Sequence, residues 1–172
     1  MTVFLDSRLP GGTLSPLRLK RRLGTVLKAL GRGGASLSVL IAGDAELREL
    51  NLGFRGKDAP TNVLAFPFRP GQGPEACGAE AGPKGAEGAM PFPEHALPKA
   101  MQGYLGDLAV SFETVARQAG EQGIPEGELL YFYLIHGLLH LLGYDHERSP
   151  GDDEAQTRET HRLMGLIPHT LP

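Results

Sequence analysis

Residues 129–142 constrain this chain most: they are apolar at eleven of fourteen positions, and His136 and His140 interrupt the run. Pro125 stands just ahead of it, where a helix can open, and Gly143 stands where one can end. A helix apolar nearly all round has no face to give to water, so the segment predicts a buried central helix. It is too short to span a bilayer. Two imidazoles among leucines cost free energy unless each finds a partner. On a helix, residues four apart are separated by about 40° and one turn, so both rings project to one side. Gly143 can take a left-handed conformation, which lets the chain turn and bring His146 back toward the same point. Three neutral nitrogens with a fourth position open form the catalytic rather than the structural pattern of a zinc site. We therefore expect one Zn2+ per chain on His136, His140 and His146. A lone histidine in an apolar helix is ordinarily a satisfied core residue, but the third histidine across a glycine turn argues against that reading here.

The same spacing is that of the metzincin peptidases, H-E-x-x-H-x-x-G-x-x-H, at all three histidines and the glycine. The glutamate position is Gly137. In the peptidases that glutamate is the general base. Glycine cannot take a proton, so the pattern keeps the metal geometry and lacks the proteolytic base. No other residue is identified as the base.

The remaining elements follow from periodicity and caps. Residues 3–5 read as a first strand. Ser15 and Pro16 open a helix with an apolar stripe at Leu23, Val26, Leu27 and Leu30, and with Arg18, Arg21, Arg22 and Lys28 on the other side. Residues 36–42 form a β-rich strand. Asp44 caps a helix running to about Asn51, with Gly53 as its stop. A polar loop over 51–67 feeds a strand at 63–68, and strand 104–111 leads through the cap Ser111 into a helix to about Ala119. A last helix covers 152–164. Between the last two strands, residues 69–103 carry seven Gly and six Pro among 35 residues, which reads as a flexible insertion. The order predicts an α/β (α+β) fold: a small mixed sheet of about four strands packed with about five helices, and a zincin-like metal site on the buried central helix. At 172 residues the chain suits a single domain, 1–172, with the insertion at 69–103.

Composition narrows the function classes. There is one cysteine, Cys77, so an intramolecular disulfide and a cysteine-rich zinc site are both excluded. Asp6 comes before an apolar leader core can develop, so a cytoplasmic protein is expected. Residues 1–43 hold seven Lys/Arg against one acid, on a body that is acidic beyond them. That asymmetry suits a polyanion-facing patch or a solvated helix face. Arg55 and Lys57 flank a turn made rigid by Pro60, and a guanidinium is shaped for phosphate. Asp107 is a weaker candidate, either orienting a ligand histidine or capping the sheet. His95, His161 and His169 lack partners at ligand spacing.

Three blocks resemble the YbeY family of bacterial rRNA maturation factors: NLGFRGKDAPTNVLAFP over 51–67, LGDLAVS over 105–111, and HGLLHLLGYDH over 136–146. The last is the most specific. The insertion departs from the family, in which the corresponding connection is much shorter. The resemblance implies a zinc-bearing α/β fold and a single-strand-specific endoribonuclease. Its implied role is 3′-end maturation of small-subunit ribosomal RNA and ribosome quality control. The implied partners are ribosomal RNA and the small subunit, with no membrane and no DNA. His136, His140 and His146 match the metal ligands. Arg55 matches the arginine tied to cleavage and His136 a histidine also implicated in it. Lys57 is expected beside Arg55 in substrate binding. Two other functions compete: a non-catalytic, zinc-stabilised ribosome-assembly factor, and a zinc hydrolase of another substrate.

Overall fold

The computed structural model describes residues 2–8, 15–68, 103–144 and 150–166. The expected insertion, Gly103 apart, lies outside the described residues, as do Cys77, His95, His146 and His169. The elements run β1 (Thr2–Ser7), α1 (Pro16–Ala29), β2 (Ser36–Ala42), α2 (Asp44–Arg55), β3 (Val63–Pro67), β4 (Tyr104–Ser111), α3 (Phe112–Gln122), α4 (Glu126–Leu141) and α5 (Pro150–Met164). This is the expected order, and the sheet has four strands in the order β1-β2-β4-β3. Strands β1, β2 and β4 are parallel, and β3 is antiparallel at the edge.

Alternation along the strands divides the core between the two faces. Leu37, Val39, Ile41, Leu108 and Val110 point to one face, where Leu19, Leu23, Val26 and Leu27 of α1 meet Leu130, Leu134, Ile135 and Leu138 of α4. Ala42, Leu64 and Ala109 point to the other, where Leu47 of α2 covers them. Helix α4 is buried along most of its surface, as its composition requires; beyond its first turn, where Glu126 is exposed and Glu128 part-exposed, a strip through Phe132, Tyr133, His136 and His140 is part-exposed. That strip repeats at helical spacing, and α5 packs against α4.

Side-chain caps mark two helix starts, and Asp44, expected as a cap, is instead the first residue of α2, behind Gly43. The Ser15 hydroxyl accepts from Arg18 N, and the Ser111 hydroxyl accepts from Thr114 N. Two helices run past their expected ends. Gly53 lies within α2 and faces open space, and the helix ends at Gly56, whose φ of 65° is left-handed. An interior glycine costs only about 1 kcal/mol, which the packing of the following turn offsets. Helix α3 likewise runs through Gly120 and stops at Gly123.

Asp44 ties the start of α2 to α3. Its carboxylate accepts from the hydroxyls of Ser111 and Thr114 and pairs with Arg117 at 3.1 Å. Partial burial alone raises its pKa, but these hydrogen bonds and the arginine outweigh burial and leave it below the ordinary value. Its contribution to stability is therefore complete at neutral pH and is lost as pH falls through the carboxylate range.

Gly106 has the least freedom. Its φ is 133°, and a β-carbon there would lie 2.1 Å from the carbonyl oxygen of Phe66 on the paired strand. Backbone cannot swing aside as a side chain can. Gly106→Ala is expected to destabilise the protein by about 3 kcal/mol through strain and loss of pairing to β3. Urea unfolding checks this; a midpoint equal to wild type would refute it.

Candidate metal centre

Helix α4 carries His136 and His140 on adjacent turns of its part-exposed strip. Their Nε2 atoms lie 3.2 Å apart, with ring centroids at 4.8 Å and an interplanar angle of 73°. Two nitrogens at zinc–nitrogen distances in a tetrahedral shell are separated by about 3.3 Å. The separation of the pair therefore matches two corners of a zinc site. Phe132, one turn earlier, stacks on His136 at 6.2 Å and 17°. Behind the ring, the fully buried Gln156 of α5 brings its amide Nε2 within 3.4 Å of His136 Nδ1. Among the described residues no group of three histidine, cysteine or carboxylate side chains comes together. The third expected ligand, His146, lies outside them.

Gly137 has a structural reason that the sequence alone did not give. A β-carbon on it would lie 2.9 Å from Leu108 Cδ2 and 3.0 Å from Val63 Cγ2. This is the close approach of α4 to β3 and β4, so the position has room for no acidic side chain.

Arg55 occupies the exposed last turn of α2, rather than the loop expected from sequence, and Lys57 follows Gly56. Helices α2 and α4 approach β3 from opposite faces of the sheet, and both pack on it. The Phe54 ring meets Phe66 of β3 edge-on at 4.8 Å, which holds the turn bearing Arg55 against the strand. The connection over 56–62 is fixed by bonds to α2. Arg48 clasps Asp58 with two hydrogen bonds of 2.6 and 2.8 Å, and the buried Asn51 donates to the Ala59 carbonyl at 2.7 Å. Arg48 holds the Asp58 carboxyl below its ordinary pKa. Asn62 then accepts from Val63 N at 2.8 Å and starts the strand. The block 51–67 is thus a helix end, a pinned turn and a strand.

These two centres separate what the sequence grouped as candidates. Asp107 projects to the α2 side of the sheet, where its carboxylate accepts from the Tyr104 hydroxyl at 2.6 Å. Burial and that carboxylate push Tyr104 up to about 12, so the phenol stays protonated and keeps donating. Of the two roles considered for Asp107, the structure favours the sheet-end one. His161 is exposed on α5, with its ring 6.0 Å from Phe132.

The family model described as Endoribonuclease YbeY matches residues 17–166. The chain belongs to this family. The Endoribonuclease YbeY of Anaeromyxobacter sp. (strain Fw109-5) is 40% identical over 172 residues, covering 97% of this chain and 74% of that protein. The Endoribonuclease YbeY of Geobacter sulfurreducens is 36% identical over 159 residues, covering 92% of this chain and 89% of its own. A Thermotoga maritima protein determined in solution shares the fold, with a TM-score of 0.59 at 23% identity over 96% of this chain and 88% of that one. No helix among the described residues is long and apolar enough to cross a membrane.

Within this YbeY-family fold, the sequence reading passed over Gln156. Gln156, Thr160 and Leu163 recur at helical spacing and are all fully buried. An uncharged amide on the stripe that meets α4, in a helix otherwise rich in charge, was the available signal.

Proposed function

We propose that this chain is a zinc-dependent endoribonuclease acting on single-stranded RNA. Its role would be in 3′-end maturation of small-subunit ribosomal RNA and in ribosome quality control, in the cytoplasm. The observation that carries the reading is the convergence of His136 and His140 Nε2 at 3.2 Å beside a packed glycine. The donor set suits zinc, and the space for a peptidase base is taken by Leu108 and Val63. The curated relatives named Endoribonuclease YbeY support the same direction.

His136, His140 and His146 would hold one Zn2+, which when bound supplies Lewis acidity toward a phosphoryl oxygen. Arg55 offers a guanidinium for the phosphate, and its contact strengthens as charge develops on the phosphoryl oxygens. Lys57 adds a second cation at the same end of α2. On α1, Arg18, Arg21 and Lys28 are exposed and can follow an RNA backbone. Arg22 is not free for that purpose, because its guanidinium lies 4.7 Å over the Tyr131 ring of α4.

Arg55→Ala is expected to lower single-turnover cleavage of single-stranded RNA by about 10²-fold or more, the loss typical of one transition-state donor. RNA affinity should change far less. Arg18→Ala/Arg21→Ala should do the reverse, weakening binding and reducing the slope of log affinity against log salt by about 1.4 for two phosphate contacts. If nuclease-free wild type with zinc leaves single-stranded rRNA fragments uncut, the enzyme reading fails and the assembly-factor reading replaces it. If Arg55→Ala cuts at the wild-type rate, Arg55 has no role in cleavage.

A further inference from the structure

The amide of Gln156 is buried behind the histidine pair with half of its bonding capacity unused. Gln156 is 0% exposed. Its Nε2 faces His136 Nδ1 at 3.4 Å and the His136 carbonyl oxygen at 3.3 Å. Its Oε1 is buried and has no hydrogen-bond partner. An orphaned buried acceptor costs about 1–3 kcal/mol, so its place on the stripe facing α4 calls for a reason. The backbone around it is well anchored, since its own carbonyl accepts from the Thr160 hydroxyl at 2.8 Å.

The chemistry of the ring supplies the reason. An imidazole whose Nε2 is committed to a cation carries its proton on Nδ1, and that proton needs an acceptor. The amide's oxygen and nitrogen have nearly the same shape, so half a turn about the terminal torsion exchanges them. In the orientation with Nε2 toward the ring, the amide donates to an unprotonated Nδ1. In the reversed orientation, Oε1 accepts from Nδ1–H. The reversed orientation gives Oε1 a donor and moves the amide nitrogen to the buried place that Oε1 held, so the amide turns only when Nδ1 carries the proton. The His136 carbonyl keeps its helical bond in either case.

We propose that Gln156 is a positioning residue for the histidine pair, turning its buried Oε1 to His136 Nδ1–H when Nε2 holds a cation and so fixing the tautomer and orientation of that ring. The proposal rests on the zinc reading above and adds to it a residue on α5. The ring is then held on both sides, by the Phe132 stack and by the amide.

The test uses the full chain and zinc itself. Zinc affinity is measured by competition with a chromophoric chelator for wild type, Gln156→Met and Gln156→Glu, beside the melting temperature of each metal-free protein. Gln156→Met should bind zinc about 10–100-fold more weakly. Its metal-free melting temperature should be unchanged or raised, because an orphaned polar atom has been removed. Gln156→Glu can accept from Nδ1–H and should restore affinity to the wild-type level or better. A purely structural role would not separate the two variants by zinc affinity. Wild-type affinity in a folded Gln156→Met, or affinity in Gln156→Glu as weak as in Gln156→Met, overturns the proposal. Should Gln156→Met not fold, nitrogen-edited NMR of zinc-loaded wild type decides. A slowly exchanging proton on His136 Nδ1 supports the proposal, and a ring protonated on neither or exchanging freely at Nδ1 overturns it. Wild type that binds no zinc removes the zinc reading and this inference together. Wild type that binds zinc with Gln156→Met equal to it removes this inference alone.

Discussion

His140→Ala should leave the protein folded, nearly free of zinc and without ribonuclease activity. Structural zinc sites bind with about 10–16 kcal/mol, which sets the order of magnitude for a three-histidine site. Losing one of three nitrogen donors is worth roughly a third of that, or about 10²–10⁴-fold in affinity. The fold itself should tolerate the change. His140 is on the part-exposed strip of α4, near the end of the helix, and alanine has the higher helix propensity. The metal-free variant should therefore match metal-free wild type within about 1 kcal/mol. In the presence of zinc, wild type gains stability by mass action and the variant does not. The measurements are metal content by elemental analysis and melting temperature with and without chelator. Equal zinc content in the two proteins would sink the metal assignment. A gap in melting temperature that persists in chelator would show that His140 is a packing residue.

Gly137→Glu should destabilise the protein by at least about 3 kcal/mol and should not create a peptidase. It restores the letter that the metzincin pattern has at this position, at a place where a β-carbon already meets Leu108 and Val63 at 2.9 and 3.0 Å. Overpacking a filled core costs about 1–3 kcal/mol, and an unpaired carboxylate driven into it adds a desolvation penalty of several more. Gly137→Ala is the control. One methyl group pushes on the tips of two side chains, while the helix gains about 1 kcal/mol of propensity, so its loss should be small beside that of the glutamate variant. Urea midpoints order the three proteins, and a casein assay reports any peptidase activity. A stable Gly137→Glu protein that hydrolyses casein would show that the glycine is a chemical choice and that packing does not enforce it.

Much of the local structure is legible in the sequence. Ser15, Ser111 and Pro125 mark helix starts through chemistry that acts within four residues, and the stripe Leu23, Val26 and Leu27 marks the buried face of α1. Such signals carry their own physical reason, because a cap or an apolar face needs no distant partner to be recognised. The end of α2 was misjudged for the complementary reason. Gly53 looks like a stop locally, but Phe54 packs on Phe66 and Asn51 bonds to Ala59, and those contacts keep the helix going to Arg55. The consequence is functional, since Arg55 becomes a helix-end cation held against β3.

The linear chain alone buries α4, puts His136 and His140 on one side of it and leaves no acid between them. These follow from hydropathy and from the 3.6-residue period, which are properties of a single helix. Packing in three dimensions explains why Gly137 has no side chain, which side of the sheet Asp107 faces, that Arg22 lies over Tyr131, and that Gln156 of α5 lies against a histidine twenty residues earlier. Each depends on which element is laid against which, and packing between distant segments is set by the shape of the whole core. No periodicity within a segment encodes it.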